Sequence, residues 1–149
     1  MLEGLFLTPA VTAIHEALAS AHADGPIAVV GNVKLAEALA EKREVRAIGL
    51  TARGAKAWNA KHDPALDDPS TIEPRSLAAV VAVDVTIDDA WFREVRAWSH
   101  VVRDGGLLVF VDRGRETEAS RRALCAGLTE LEQRHAGRTV VTSGLVTHL

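Results

Sequence analysis

The chain has a single cysteine, Cys125, in 149 residues, so no intramolecular disulfide can staple it, and a lone thiol fits a reducing compartment. Cys125 lies near Leu124 and Leu128 in a segment of helical spacing, and it reads as a small packing residue rather than a nucleophile. No apolar run approaches the roughly 20 residues that a membrane helix needs. The start, Met1-Leu2-Glu3-Gly4-Leu5-Phe6-Leu7, carries neither a basic leader nor a long apolar segment, which argues against a secretory signal. The expectation is a cytoplasmic protein with no membrane partner. Basic charge is not in surplus either: 17 Lys and Arg stand against 20 Asp and Glu, a formal net charge of −3. Nucleic-acid phosphates call for clustered Lys and Arg, so nucleic acid is not an expected partner. The histidines His15, His22, His62, His100, His135 and His148 neither pair at i, i+4 nor join a Cys/His cluster, so no metal is expected. His15 and His22 read as decorating an N-terminal helix. His135 reads as lying near a helix C-terminus, where a protonated imidazole is favoured.

Hydrophobic residues make up 48% and charged residues 25%, which describes a globular chain rather than a disordered one. The length suits one domain over 1–149, large enough to bury about 70% of its unfolded surface, with an N-terminal helix in 1–25 and a core in 26–149. Thr8-Pro9 reads as an N-cap with proline at the first helical position, followed by a stripe of Val11, Ile14 and Leu18 up to Gly25-Pro26. Ile27-Ala28-Val29-Val30 reads as a strand covered on both faces, Gly31-Asn32 as a tight turn, and Leu35, Ala36 and Leu39 as the apolar face of a helix. A second strand at 45–50 and a short helix at 52–60 complete a βαβ unit. Pro64, Pro69 and Pro74 then break the pattern, leaving either a loop or a short third strand near 70–73.

The apolar run 78–84 reads as the next strand, ending in Asp84. Thr86 with Asp89 suggests a capping box, and Trp91, Val95, Trp98 and Val102 form the stripe of the helix that follows. Arg103-Asp104-Gly105-Gly106 stops that helix before a strand at 107–112. A last helix is predicted over 117–135, carrying Leu124, Leu128 and Leu131 and the pairs Glu118–Arg122 and Glu130–Arg134. Two alternating runs around Ser143-Gly144 read as a closing β-hairpin.

The succession of strands and helices, and above all His100-Val101-Val102-Arg103-Asp104-Gly105-Gly106-Leu107-Leu108-Val109-Phe110-Val111, resembles the class I S-adenosylmethionine-dependent methyltransferases, with their helix, "L-K-P-G-G" turn and fifth strand. The resemblance covers 26–149. It implies an α/β three-layer sandwich with a mostly parallel, Rossmann-like sheet of seven strands in the order 3-2-1-4-5-7-6, the last strand antiparallel and the third short or missing. It also implies where a cofactor would sit: on Gly31 and Asn32 after the first strand, Thr51 after the second and Asp84 after the fourth.

Against that pattern the turn at Gly31-Asn32-Val33-Lys34 holds one glycine where several let backbone N–H groups approach the ligand. The ribose acid is absent, since Gly49-Leu50-Thr51 offers a hydroxyl in place of a carboxylate. Asp63 or Asp68 is the candidate acid on the adenine side, and Val85-Thr86-Ile87 is unlike the Pro-Pro-aromatic motif of enzymes that methylate base amino groups. Asp84 reads equally as a ligand contact and as a turn residue. Trp58 reads as packing over the sheet, with base stacking as the alternative. The run Arg113, Arg115, Arg121 and Arg122 reads as a solvated face, with a small anion as the lesser reading. The reading that follows is a methyltransferase-like domain with a degenerate S-adenosylmethionine site, holding no cofactor and serving as a protein partner or homo-oligomer. Its alternatives are an active small methyltransferase with an atypical S-adenosylmethionine pocket, and a nucleotide- or other small-ligand-binding module.

Overall fold

The computed structural model describes residues 4–148. Helix α1 (Gly4–Ser20) leads into β1 (Ile27–Val30), α2 (Val33–Ala40), β2 (Val45–Ile48) and α3 (Ala52–Asn59). Then come β3 (Leu77–Val83), α4 (Trp91–Val101), β4 (Val102–Arg113), α5 (Glu116–Cys125), β5 (Thr129–Ala136) and β6 (Thr139–Leu145). The strands make one sheet in the order β2-β1-β3-β4-β6-β5. Strands β2, β1, β3 and β4 are parallel, and β6 runs antiparallel to both β4 and β5.

Successive strand side chains point to opposite faces, so the near-continuous apolar runs of β1 and β3 feed two cores. Val29, Val81 and Val109 meet Ile14 and Leu18 of α1, Leu35 and Leu39 of α2 and Trp58 of α3. On the other face Ala28, Val80, Leu108 and Phe110 meet Val95 and Trp98 of α4 and Ala123 of α5. Trp58 is thus core, its Nε1 donating to the Asp63 carbonyl at 3.0 Å and its ring stacked on His62.

The sheet has six strands, not seven. In place of a third strand beyond β2, one residue pairs: Leu66 donates to the Ala47 carbonyl and accepts from the Gly49 N–H, both at 2.8 Å. The region expected to hold that strand, near 70–73, begins instead as a 3-10 turn, Pro69–Thr71, capped by Asp68 on the Ser70 N–H. Proline has no N–H for a ladder, so the segment cannot extend the single bridge.

Helix α1 begins at Gly4, upstream of the expected start at Thr8, and carries Pro9 in its interior at the loss of one N–H. The box expected at Thr86 and Asp89 does not form: Thr86 lies in a 3-10 turn, Val85–Ile87, and α4 starts at Trp91 after Ala90 without a side-chain cap. Of the stripe expected for that helix, Val95 and Trp98 are buried and Trp91 half-buried on α4, whereas Val102 is buried as the first residue of β4. Gly105 and Gly106 fall inside β4, where the register against β3 jumps from Leu77↔Val102 to Ala79↔Leu107.

The C-terminal third differs most from expectation. The helix expected over 117–135 ends at Cys125, near Gly127 at φ +83, and residues 129–136 form β5. Glu118–Arg122 pairs as expected, but Arg134 pairs with Glu132 at 2.9 Å, two residues away on one side of a strand, and not with Glu130. His135 consequently lies on a strand rather than near a helix end, and Cys125 is exposed rather than packed. The closing hairpin is β5–β6, turning at Gly137-Arg138. Ser143-Gly144 runs straight through β6, because the missing Cβ of Gly144 leaves room for Leu128 and Leu131, whose side chains would lie 2.8 and 2.7 Å from it.

Candidate functional site

In an open α/β sheet, ligands bind beyond the carboxyl ends of the strands where the strand order reverses. Here that point lies between β1 and β3, since β1 leads to β2 on one side while β3 pairs on the other. Gly31 follows β1, Thr51 follows β2 and Asp84 follows β3, so the structure brings the sequence candidates to one edge.

Their chemistry, however, is turned inward. Gly31 sits at φ +87, where a Cβ would stand 3.2 Å from Val83 Cγ2, and its N–H donates to the Ile48 carbonyl at 3.0 Å. Asn32 is the N-cap of α2, its side-chain oxygen accepting from the Leu35 N–H at 2.9 Å. Thr51 is the N-cap of α3, its hydroxyl oxygen accepting from the Gly54 N–H at 3.1 Å. Both caps satisfy helix N–H groups that otherwise lack partners. Gly49, two residues before Thr51, is left-handed at φ +64.

Asp84 is the exception. It is a half-buried non-glycine residue at φ 58 and ψ 34, and its carboxylate makes no capping bond. Left-handed backbone is tolerated by aspartate better than by most residues but still costs about 1 kcal/mol or more. What holds it there is a set of contacts that the sequence did not announce. The Asp84 N–H donates to the Val111 carbonyl at 2.9 Å. One residue along β4, buried Asp112 accepts from the Thr86 N–H at 2.9 Å and the Thr86 hydroxyl at 2.8 Å. From α5, Arg122 donates to the Val85 and Asp88 carbonyls at 2.6 and 3.0 Å, and its guanidinium lies 5.0 Å over the Trp91 ring.

Burial pushes the Asp112 carboxyl above its usual range, and the charge of Asp84 adds to this, while the Thr86 hydrogen bonds and Arg122 pull the other way. The second Asp112 oxygen, Oδ2, is buried without a partner. Nearby, burial and the neighbouring Asp88 carboxyl raise Glu94 to about 7. Only the position of Asp112 at the end of an apolar strand hinted at this cluster. Of the adenine-side candidates, Asp68 is spent on the Ser70 cap and its carboxyl is held below the usual range by hydrogen bonds from Ser70. In the arginine run, Arg121 and Arg122 both grip Glu118. No group of three metal-ligating side chains lies together among the described residues. Nor is any described helix long and apolar enough to cross a membrane.

No protein-family model matches the sequence, and no curated protein matches it. Solved structures do match in shape. A methylase of a ribosomal protein from Lactobacillus delbrueckii subsp. bulgaricus superposes with a TM-score of 0.72 at 15% identity, over 99% of this chain and 81% of the other. An S-adenosylmethionine-dependent methyltransferase from Clostridium acetobutylicum gives 0.71 at 11% identity, over 95% and 92%. A chain from the complex between the Haloferax volcanii Trm112 methyltransferase activator and a methyltransferase gives 0.66 at 12%, over 84% and 83%. The protein therefore has the class I S-adenosylmethionine-dependent methyltransferase-like Rossmann fold, in a six-stranded form. Identities this low carry the fold alone.

Proposed function

We propose that this chain is a methyltransferase-fold protein whose cofactor crevice is degenerate, and that it acts as a non-catalytic protein partner. The observation that carries the reading is the commitment of the crevice's polar side chains to the backbone. Asn32 and Thr51 each cap a helix, and Thr51 stands where the resemblance would put a carboxylate for the ribose. A ligand arriving there would have to displace two caps worth roughly 1 kcal/mol each and would find no charged acceptor for its diol at the end of β2. The activator complex among the structural neighbours supports partnership as a use of this fold. Titration with S-adenosylmethionine and S-adenosylhomocysteine tests the reading, which expects no saturable binding of either.

The unspent carboxylate of Asp84 favours a second reading, an active small methyltransferase with an atypical pocket around Gly31, Thr51 and Asp84. Strained backbone is often retained where a side chain must be aimed at a ligand. Methyl transfer asks chiefly for in-line positioning, so the lack of an acid–base pair does not exclude it. This reading expects tight cofactor binding that Asp84→Asn weakens.

A further inference from the structure

Helices α1, α2 and α3 share one face of the sheet, with α2 touching both of the others. Leu35, Ala36 and Leu39 turn one side of α2 into the core, which leaves Lys34, Glu37, Ala38 and Glu41 on its outer side at the i, i+3, i+4, i+7 spacing of one helix face. Those four residues border an open groove of about 730 Å³. Its apolar surface comes from Leu7 of α1, Val33 and Ala38 of α2 and the exposed Ala57 of α3. Every polar side chain along it, Lys61 and His62 beyond α3 included, is exposed or half-exposed rather than buried. A small-molecule site encloses a few polar groups that orient its ligand, whereas open apolar ground with a charged rim is the anatomy of a protein interface.

The charges on α2 identify the occupant. Lys34 stands in the first turn and Glu41 at the C-cap, while the helix has no acid in its first turn and no base in its last. Both charges therefore have the wrong sign for α2's own macrodipole, which is positive at the N-terminus and negative at the C-terminus. Neither side chain has an oppositely charged partner within salt-bridge distance among the described residues. An antiparallel helix laid alongside reverses both penalties, since its C-terminus comes beside Lys34 and its N-terminus beside Glu41. A second copy of α2 is such a helix and brings the matching charges. The spacing of 34, 37, 38 and 41 reads the same in either direction, so a twofold axis between residues 37 and 38 sets Lys34 of each copy against Glu41 of the other, and Glu37 against Ala38. Small Ala38 lets the two helices approach there, and Glu37 is drawn aside toward His62, with Oε2 3.8 Å from Nε2. Lys34 and Lys61 balance Glu37 and Glu41 along the rim, so no surplus of like charge opposes the copy.

We propose that this chain forms a homodimer through the groove, with the two α2 helices antiparallel about a twofold axis and Lys34 and Glu41 paired across it. The dimer does not depend on whether the crevice holds a cofactor, so the two readings fail independently. The eight residues of α2 span about 12 Å, a small contact that sets the dissociation constant in the micromolar range. Sedimentation velocity of the whole protein from about 5 to about 500 µM covers that range. The wild type passes from monomer to dimer across it. Lys34→Glu and Glu41→Lys each weaken the dimer at least about tenfold, because the twofold axis turns two attractions into two repulsions. Mixed in equal amounts, the two variants associate with each other, since each supplies the charge that the other has lost. Both substitutions suit α2's own dipole, so each variant melts at or above the wild-type temperature when dilute, and loss of the dimer is not loss of the fold. A wild type that stays monomeric throughout leaves the groove to a different protein and overturns the proposal. A dimer that either substitution leaves unchanged forms through another face and overturns it too, as does failure of the two variants to associate.

Discussion

Buried Asp112 on β4 holds Thr86 by two hydrogen bonds through one carboxylate oxygen, the backbone N–H at 2.9 Å and the hydroxyl at 2.8 Å. The turn that follows Asp84 is therefore anchored to the neighbouring strand. Asp112→Ala leaves both Thr86 donors unpaired in the interior, at a cost of about 2–4 kcal/mol in urea unfolding. Thr86→Ser, which keeps both donors, costs less.

The same carboxyl makes stability depend on pH. Its folded-state pKa is raised, chiefly by burial, so the folded chain holds this proton more tightly than the unfolded one. The stabilisation is complete below the unfolded value and is lost as pH rises through the folded one. Asp112→Asn, which cannot ionise, removes that part of the slope. Urea midpoints of the two proteins should separate as pH rises, with the variant gaining.

Glu94 contributes in the same direction within a defined window. Burial and its carboxyl neighbour Asp88 raise it from 4.5 to about 7. Stability from this group declines as pH climbs from the first value to the second, and Glu94→Gln flattens the decline. A wild-type curve with the opposite slope across that window, unchanged in the variant, would count against the pairing with Asp88.

Arg122 ties α5 to the Asp84 turn through the Val85 and Asp88 carbonyls and covers the Trp91 ring. Arg122→Ala should cost about 2 kcal/mol and expose Trp91, read as a red shift in tryptophan emission. Arg122→Lys restores only part, since an ammonium cannot span both carbonyls and Glu118 with a planar fork.

The two adjacent glycines of β4 separate two kinds of strain. A Cβ on Gly106 would stand 2.6 Å from the Ala78 carbonyl oxygen, whereas one on Gly105 meets nothing within 4 Å but must adopt φ +80. Gly106→Ala should cost about 3 kcal/mol or more, by overpacking against backbone. Gly105→Ala should cost only the 1–2 kcal/mol of left-handed backbone. Equal losses in denaturant unfolding would contradict the close packing of β3 on β4.

The parallel half of the sheet was legible because buried strands write themselves as runs such as Ile27 to Val30 and Leu107 to Val111, and the caps Asn32 and Thr51 sit where turns should. The C-terminal third was not, for two reasons. Glu130 and Arg134 satisfy helical spacing, and their assignment to a strand is decided by the pairing of β5 with β6, which runs from Thr129↔Leu145 to Ala136↔Thr139 and which helical spacing does not reveal. Gly144 looks like a turn glycine but serves as a packing gap for Leu128 and Leu131. At the crevice, the absence of a carboxylate in Gly49-Leu50-Thr51 was readable directly. The Asp112–Thr86 bond was not, because it joins residues 26 positions apart that neither motif nor period connects.

The central claim is that the crevice beyond β1, β2 and β3 does not hold the cofactor for which the fold is known. Isothermal titration of the wild-type protein with S-adenosylmethionine and with S-adenosylhomocysteine tests it most directly. The account predicts no saturable heat with either ligand up to about 1 mM, equivalent to less than about 4 kcal/mol of binding free energy. Saturable binding in the low-micromolar range, weakened by Asp84→Asn, would contradict it and favour the active-enzyme reading instead.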